Sequence, residues 1–248
     1  MISLYDLIKD SDNIVFFGGA GVSTESGIPD FRSEQGIYAT KQAFGYPPET
    51  ILSRSFFLSQ PEIFFKYYRQ NLIFSSAEPN AAHRALARLE QAGKLKAVVT
   101  QNIDSLHQQA GSCSVLELHG SAARNYCVRC RATYDISIVV NSEGIPKCTQ
   151  CGGMVRPDVV LYEEGLDNSV LAESIDCIAA ADMLIVGGTS LNVHPAAGLI
   201  SYYNGNKLVI INKGITPYDA KADLRINDSI GKVLGETVDQ MFDTPLKP

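Results

Sequence analysis

A short apolar run, Ile14-Val15-Phe16-Phe17, breaks directly into Gly18-Gly19-Ala20-Gly21-Val22-Ser23-Thr24. This junction restricts the chain more than any other stretch. Large apolar residues in succession, without alternation, read as a strand buried on both faces, the kind found in parallel sheets. Glycines directly after such a strand, with Ser and Thr at helix-cap positions, can bring backbone N–H groups against a phosphate. A tight structural turn would use the same glycines, and the pattern is GxG with no third glycine at the usual offset. The continuation Gly27-Ile28-Pro29-Asp30-Phe31-Arg32 is more informative, because Pro, an aromatic and Arg in one loop have the means to wrap a ligand.

The pattern of apolar run and polar end recurs. Runs at 95–100, 115–118, 183–186 and 207–211 predict further strands, and 159–161 resumes the apolar pattern. Leu4, Leu7 and Ile8 have helical spacing. Ser59-Gln60-Pro61-Glu62 has the form of a capping box with Ser59 as N-cap, opening a helix that presents Ile63, Phe64, Tyr67, Tyr68 and Leu72 to the core. Asn80 is placed to cap a helix over 81–92 ending at Gly93, and further helices are expected over 172–181, from near Pro195, and over 230–242. Residues 33–49 lack periodicity and read as a functional loop. Strands alternating with helices define an α/β fold, a parallel sheet covered on both faces. Polar loops at 18–32, 101–107, 119–120, 187–190 and Asn212 then converge on the carboxyl edge of that sheet, where such folds hold ligands. Two glycine turns far apart in sequence suit opposite parts of a dinucleotide. No acidic residue closes a second strand about 20 residues after the first glycines, so a hydride-transferring dehydrogenase fits poorly.

A net charge of −6 argues against general nucleic-acid binding. No stretch reaches the roughly 18 apolar residues of a membrane span, and the N-terminus lacks a basic segment followed by an apolar one, so a cytoplasmic protein is expected. Four of the 6 cysteines fall in two pairs, Cys127-x2-Cys130 and Cys148-x2-Cys151, with 17 residues between them. Without a secretory signal this spacing reads as a tetrahedral zinc site, and four protein ligands leave no open position, so the metal is structural. Cys113 and Cys177 stand apart and are expected to be small core residues.

In order along the chain come Gly19-Ala20-Gly21-Val22-Ser23 through Arg32, Thr100-Gln101-Asn102-Ile103-Asp104 with Leu106-His107, Leu118-His119-Gly120, the cysteine pairs, Gly188-Thr189-Ser190-Leu191 with Pro195-Ala196, and Ile211-Asn212. Together they resemble the sirtuins, the NAD-dependent protein lysine deacylases, of bacterial type and over essentially the full length. The resemblance implies a Rossmann-like NAD-binding domain from 1–36, 76–122 and 155–248. It implies a small domain from a helical module, 37–75, and a zinc-ribbon module, 123–154. NAD, as co-substrate, would bind between them. Ala20, Thr24, Phe31 and Arg32 would contact it. Gln101, Ile103 and Asp104 would shape the nicotinamide and ribose pocket, with Asp104 holding the carboxamide. Thr189, Ser190, Asn212 and Ile230 would border the phosphates and adenosine. Asn102 would orient the ribose or a water. His119 would act as general base on a ribose hydroxyl once the acyl oxygen of acetyl-lysine has joined the anomeric carbon and nicotinamide has left. Val160, Tyr162 and Val193 would hold the substrate, Val160 by strand pairing and Tyr162 as a wall for the lysine stem. The implied partner is an acetylated lysine segment of a protein, acted on by a monomer.

The residue types agree with these roles. Imidazole titrates near pH 7, and a carboxylate accepts hydrogen bonds from an amide. Without the motif, His119 would read as a buried histidine bonded to the backbone. His83, His107 and His194 read as structural. Some positions depart from the family pattern. Glu163 stands where Gly is usual, and either adds negative charge at the substrate mouth, favouring basic flanking residues, or is a solvated loop carboxylate. Ser105 replaces a common Gly, and Lys213-Gly214 follow Asn212 where an acidic residue often stands. No Tyr-x-x-Arg pair follows Phe31, which favours acetyl over succinyl substrates. Rival readings are an ADP-ribosyltransferase or NAD hydrolase using the same pocket, and a non-catalytic NAD-sensing module.

Overall fold

The computed structural model describes residues 3–29 and 41–242. Its strands are β1 (Ile14–Gly18), β2 (Leu95–Thr100), β3 (Val115–Glu117), β4 (Gly120–Cys127), β5 (Thr133–Asp135), β6 (Val155–Val159), β7 (Met183–Gly187), β8 (Leu208–Ile211) and β9 (Leu224–Ile226). Six of them form a parallel sheet in the order β3-β2-β1-β7-β8-β9, and the other three an antiparallel sheet, β5-β4-β6. Every residue of β1, β7 and β8 is buried, as their unbroken apolar runs require.

Alternate residues of these strands face opposite sides, and each side has its own core. Ile14, Phe16, Val98, Ile185 and Val209 pack with the helices Ala81–Gln91 and Ile230–Phe242 through Ala82, Leu86, Leu89, Leu234 and Val238. Val15, Phe17, Val99, Leu184 and Ile210 meet Ile178, Ala196, Leu199 and Ile200 on the other face. A third core joins two segments far apart in sequence. Ile51, Phe57, Phe64, Phe65, Tyr67 and Tyr68 pack against Ala122, Val139 and Leu161, so the aromatic helix face is core, as its spacing predicts.

Local differences have physical causes. Ser59 is the last residue of helix Arg54–Ser59 rather than the cap of the next one, and its hydroxyl donates to Ser55 O at 2.9 Å; Gln60 occupies the N-cap position of Pro61–Asn71. The helix expected over 172–181 starts earlier, at Asn168, because the Asp167 carboxylate caps it by accepting from the Ser169 and Val170 N–H groups. The segment after Pro195 is a 3₁₀ helix, Ala196–Tyr202, in which Ala196 and Leu199, and Ala197 and Ile200, are all buried. Three residues per turn stacks these pairs over one face. The short edge strand β9 was not expected. Cys113 is exposed rather than buried, Cys177 is half-buried, and His194 is exposed rather than a packed structural residue. No helix among the described residues is long and apolar enough to cross a membrane.

His83 and His107 are fully buried behind the large sheet, with ring centroids 4.7 Å apart. His83 Nδ1 accepts from the Asn80 N–H, closing a capping box, while neither His107 ring nitrogen has a hydrogen-bond partner among the described residues. Burial pushes His107 down to about 4, and burial with the nearby His107 and Arg84 pushes His83 down to about 3. Above 6.5 both rings are neutral whether the chain is folded or unfolded. Below it the unfolded chain binds protons that the folded rings refuse. Stability therefore falls as pH drops from 6.5 towards 4, by about 1.4 kcal/mol per pH unit for each ring. Urea unfolding at a series of pH values checks this. His107→Leu is expected to remove about 1.4 kcal/mol per unit of that slope, and an unchanged slope would refute the assignment.

Candidate active site

Parallel pairing levels the strand ends. Gly18 lies opposite Thr100 and Gly187, Thr100 opposite Glu117, and Gly187 opposite Ile211. The five polar loops therefore leave the sheet along a single edge. His119 sits where the chain leaves β3 and enters β4, between the two sheets.

The two glycine turns touch each other. Gly19 and Gly21 N–H groups donate to Gly187 O and Gly188 O at 3.3 and 2.8 Å. A Cβ on Gly21 would lie 2.8 Å from Gly188 Cα, and one on Gly188, which has φ +58°, would lie 2.3 Å from Val22 N. These N–H groups are used within the protein, so the glycines serve close approach of one loop to the other. The loop then runs through two 3₁₀ turns, Ala20–Val22 and Thr24–Ser26.

A polar network follows. Ser23 Oγ, buried, donates to Asp104 Oδ2 at 2.7 Å and accepts from Asn102 Nδ2 at 3.0 Å. Asp104 Oδ1 accepts from the Leu106 N–H at 2.9 Å. Burial raises the Asp104 pKa, with the Ser23 and Leu106 bonds opposing it. Each carboxylate oxygen keeps a lone pair for a further donor such as a carboxamide N–H. Ser105 holds left-handed backbone, φ +62°, and its Oγ lies 2.9 Å from Ser121 Oγ. Gln101 Nε2 donates to Thr189 Oγ1 at 3.2 Å, which links the ends of β2 and β7. Ile103 O accepts from the Ala122 N–H at 2.9 Å, and its side chain packs on the third core.

His119 Nδ1 is 2.8 Å from Gln101 O. A carbonyl only accepts, so Nδ1 carries the proton and Nε2 is the basic nitrogen of a neutral ring. Burial lowers the pKa further than the Gln101 bond raises it.

The remaining expected residues spread along the same edge. Half-buried Ala20 and exposed Thr24, whose Oγ1 donates to Gly21 O at 2.9 Å, lie in the first loop. Ser190 follows Thr189 at the end of β7, and Asn212 follows β8 with its Nδ2 donating to Gly214 O at 3.0 Å. Ile230 opens the last helix with its side chain buried over Gly187. Phe31 and Arg32, with Asp30, lie outside the described residues. On the substrate side, Val160 N–H donates to His119 O at 3.0 Å, while Tyr162 and Val193 are exposed. Glu163 is an exposed carboxylate, and it is held by Ser55, a partner the sequence did not indicate. Sequence reasoning gave Ser23 only a helix-cap position, whereas its side chain makes no cap bond and instead joins Asp104 and Asn102, and it gave no role to Arg156 or Ser55. Arg156 pairs with Glu164 at 2.7 Å, both largely buried, and Glu164 Oε2 accepts from the Leu161 N–H at 2.9 Å.

The four cysteine sulfurs of Cys127, Cys130, Cys148 and Cys151 all lie within 4.8 Å of one another, with Cys127–Cys151 and Cys130–Cys148 at 3.5 Å. Zinc–sulfur bonds of about 2.3 Å in a tetrahedron place sulfurs roughly 3.8 Å apart, so the set fits a zinc ion. Both pairs make the same turn. Arg131 N–H donates to Cys127 O and Gly152 N–H to Cys148 O, and both residues after the second cysteine have positive φ, 63° and 71°. A Cβ on Gly153 would lie 3.0 Å from Cys127 Sγ and 3.3 Å from Cys151 Sγ, so the cradle leaves no room for a side chain there. Tyr134 Oη lies 3.0 Å from Cys148 Sγ and orients that ligand.

The purified protein is expected to contain one zinc per chain by elemental analysis. Cys148→Ser should reduce this to background and lower the melting temperature, because metal binding stabilises a segment with a small core of its own. A fully folded Cys148→Ser protein with unchanged melting would refute a structural metal.

Residues 19–195 match the model of the Sir2 family. The NAD-dependent protein deacetylase of Clostridium acetobutylicum is 62% identical over 236 residues, covering 95% of this chain and 96% of that protein. Its counterpart in Clostridium perfringens is 61% identical over 237 residues, covering 95% and 97%. Among solved structures, Sir2 with a p53 peptide and NAD⁺ superposes with a TM-score of 0.85 at 39% identity, covering 96% of this chain and 97% of that one. A histidine-to-alanine Sir2 variant with a deacetylated p53 peptide and 3′-O-acetyl ADP-ribose gives 0.87 at 39% identity, covering 97% of each chain. With this family match over most of its length and relatives of such identity, the chain belongs to the Sir2 family.

Proposed function

We propose that this protein is an NAD-dependent protein lysine deacetylase, which moves the acetyl group of acetyl-lysine to ADP-ribose and releases nicotinamide and free lysine. The observation that carries this reading is the tautomer of His119. The Gln101 carbonyl holds the proton on Nδ1, burial keeps the ring neutral, and Nε2 is left to accept a proton. NAD supplies a reactive anomeric carbon, nicotinamide as leaving group, and a ribose hydroxyl that needs a base. His119 Nε2 takes that proton. Asp104 holds the carboxamide, with Ser23 fixing its carboxylate and the Asn102 amide together. Gln101, Ile103, Ala20, Thr24, Phe31 and Arg32 line the reactive end, and Thr189, Ser190, Asn212 and Ile230 the phosphate and adenosine end. Acetyl-lysine enters beside Val160, Tyr162 and Val193.

The curated relatives named above bear the same activity in their names, and the p53-peptide complexes of Sir2 support an extended acetyl-lysine segment as substrate. Residues 1–36, 76–122 and 155–248 would form the NAD-binding unit, with 37–75 and 123–154 as the small domain. The reading is of a monomer acting on proteins, and the net charge of −6 favours a protein substrate over nucleic acid. A cytoplasmic setting suits the free thiolates that zinc requires.

Incubation with NAD and an acetyl-lysine peptide is expected to yield nicotinamide and O-acetyl-ADP-ribose in equal amounts, with no nicotinamide released in the absence of peptide. Peptide-independent release would instead favour NAD hydrolysis or ADP-ribosyl transfer. His119→Ala should bind NAD but lower kcat by about 10²- to 10⁴-fold, the usual range for a general base. Because activity needs unprotonated Nε2, it is lost as pH falls through the lowered His119 pKa. The acid limb of the kcat/KM profile is therefore expected below 6.5, and a limb at or above 6.5 would contradict the neutral ring.

A further inference from the structure

One side chain fastens the substrate-side segment to the helical region, and its own backbone is held in a costly conformation. Glu163 has φ +73°, a left-handed value that residues with a Cβ adopt only at a cost. Both of its carboxylate oxygens are engaged by Ser55: Oε2 accepts from the Ser55 N–H at 2.9 Å and Oε1 from Ser55 Oγ at 2.8 Å. Ser55 lies in the first turn of helix Arg54–Ser59, where N–H groups lack intrahelical partners and negative charge is favoured. Alongside, Tyr162 N–H donates to Leu52 O and Arg54 N–H donates to Tyr162 O, each at 3.0 Å, closing a parallel bridge between Ser53 and Tyr162. Together, these two backbone bonds and the two from Ser55 fasten 52–55 to 162–163. Two residues earlier, Val160 N–H is bonded to His119 O.

We propose that Glu163 is a positioning residue for the acyl-lysine segment. By capping Ser55 it holds the 160–163 backbone against the helical region, so that a peptide docks on an edge already in place beside His119. This rests on the deacetylase reading above. The carboxylate acts through Ser55 and the turn it stabilises, and it does not act as a charge that selects basic flanking residues. The strained backbone fits this role. A glycine would adopt φ +73° freely, and what the glutamate adds there is the tie to Ser55.

The test uses the full chain with NAD and an acetyl-lysine peptide. Glu163→Gly removes the tie and the backbone strain together. It is expected to raise the peptide KM about three- to tenfold, the order of one exposed charge-assisted hydrogen bond, with kcat and the NAD KM within about twofold of wild type. Glu163→Gln keeps an acceptor for the Ser55 N–H and should fall between. Adding Ser55→Ala to Glu163→Gly should change the peptide KM no further. The ratio of kcat/KM for peptides with basic and with acidic flanks should be the same in wild type and Glu163→Gln. Amide hydrogen exchange at Ser55 and Tyr162, which needs no turnover, should quicken in Glu163→Gly. An unchanged peptide KM, unchanged exchange, or a flank ratio that moves with the charge would each overturn the proposal. If the wild type released no nicotinamide in response to the peptide, the deacetylase reading would fall and this inference with it. An active wild type beside an unaltered Glu163→Gly overturns the inference alone.

Discussion

The Gly21 N–H meets Gly188 O at 2.8 Å, backbone against backbone, and the geometry of the site depends on that contact. β1 and β7 are neighbours at the centre of the sheet, so the loops after them leave from adjacent points. Because neither loop carries a Cβ at the contact, the first can fold down over the second instead of standing away from it. The next side chain along, Ser23, is thereby brought to Asn102 and Asp104, and Thr189 on the other loop reaches Gln101. Side chains from three strand ends are fixed relative to one another before any ligand arrives. Preorganisation of this kind is what electrostatic and acid–base catalysis needs, since groups already in place cost no reorganisation during the reaction.

Three histidines with lowered pKa values show why location must be read together with proton affinity. Burial depresses the pKa of His83, His107 and His119 alike. His83 and His107 pack on each other, fully buried, and neither exposes a ring nitrogen to solvent. His119 is only half-buried, at the junction of β3 and β4, with one nitrogen committed to a backbone carbonyl. A perturbed pKa alone would have selected the wrong pair; combined with access and a fixed tautomer, it selects His119.

The sequence made legible what depends on local pattern. Unbroken apolar runs identified β1, β7 and β8, because strands covered on both faces have no polar side to alternate, and β2 was legible despite its exposed Lys96. The paired cysteine spacing was as readable, since each pair needs only one tight turn to bring its two thiolates together. Reading was poorer where meaning lay in distant partners. Ser59 and Glu62 have the spacing of a capping box, yet Ser59 ends one helix instead of starting another. β9 has three residues at a sheet edge, with Arg225 reaching Asp219, too short to show a period. Ser55 and Glu163 are 108 positions apart, and nothing near either one indicates the other.

The packing of the cysteine segment extends to the 160–164 turn through Arg156. The guanidinium lies over the rings of Phe57, from the helical region, and Tyr126, one residue before the first zinc ligand, with centroid distances of 5.4 and 5.7 Å. It also pairs with Glu164 and donates to Val159 O at 2.8 Å. The pair is largely shielded from water, where loss of either partner leaves a poorly solvated charge and costs more than the pair itself contributes. Glu164 in turn accepts from the Leu161 N–H, next to the residue bonded to His119 O. The cysteine segment, the aromatic core and the 160–164 turn therefore share one set of contacts. A zinc ion held by the four cysteines would therefore stabilise more than the segment that carries them, because β4 and β6, which flank the cysteine pairs, also support the turn on which acetyl-lysine is proposed to bind.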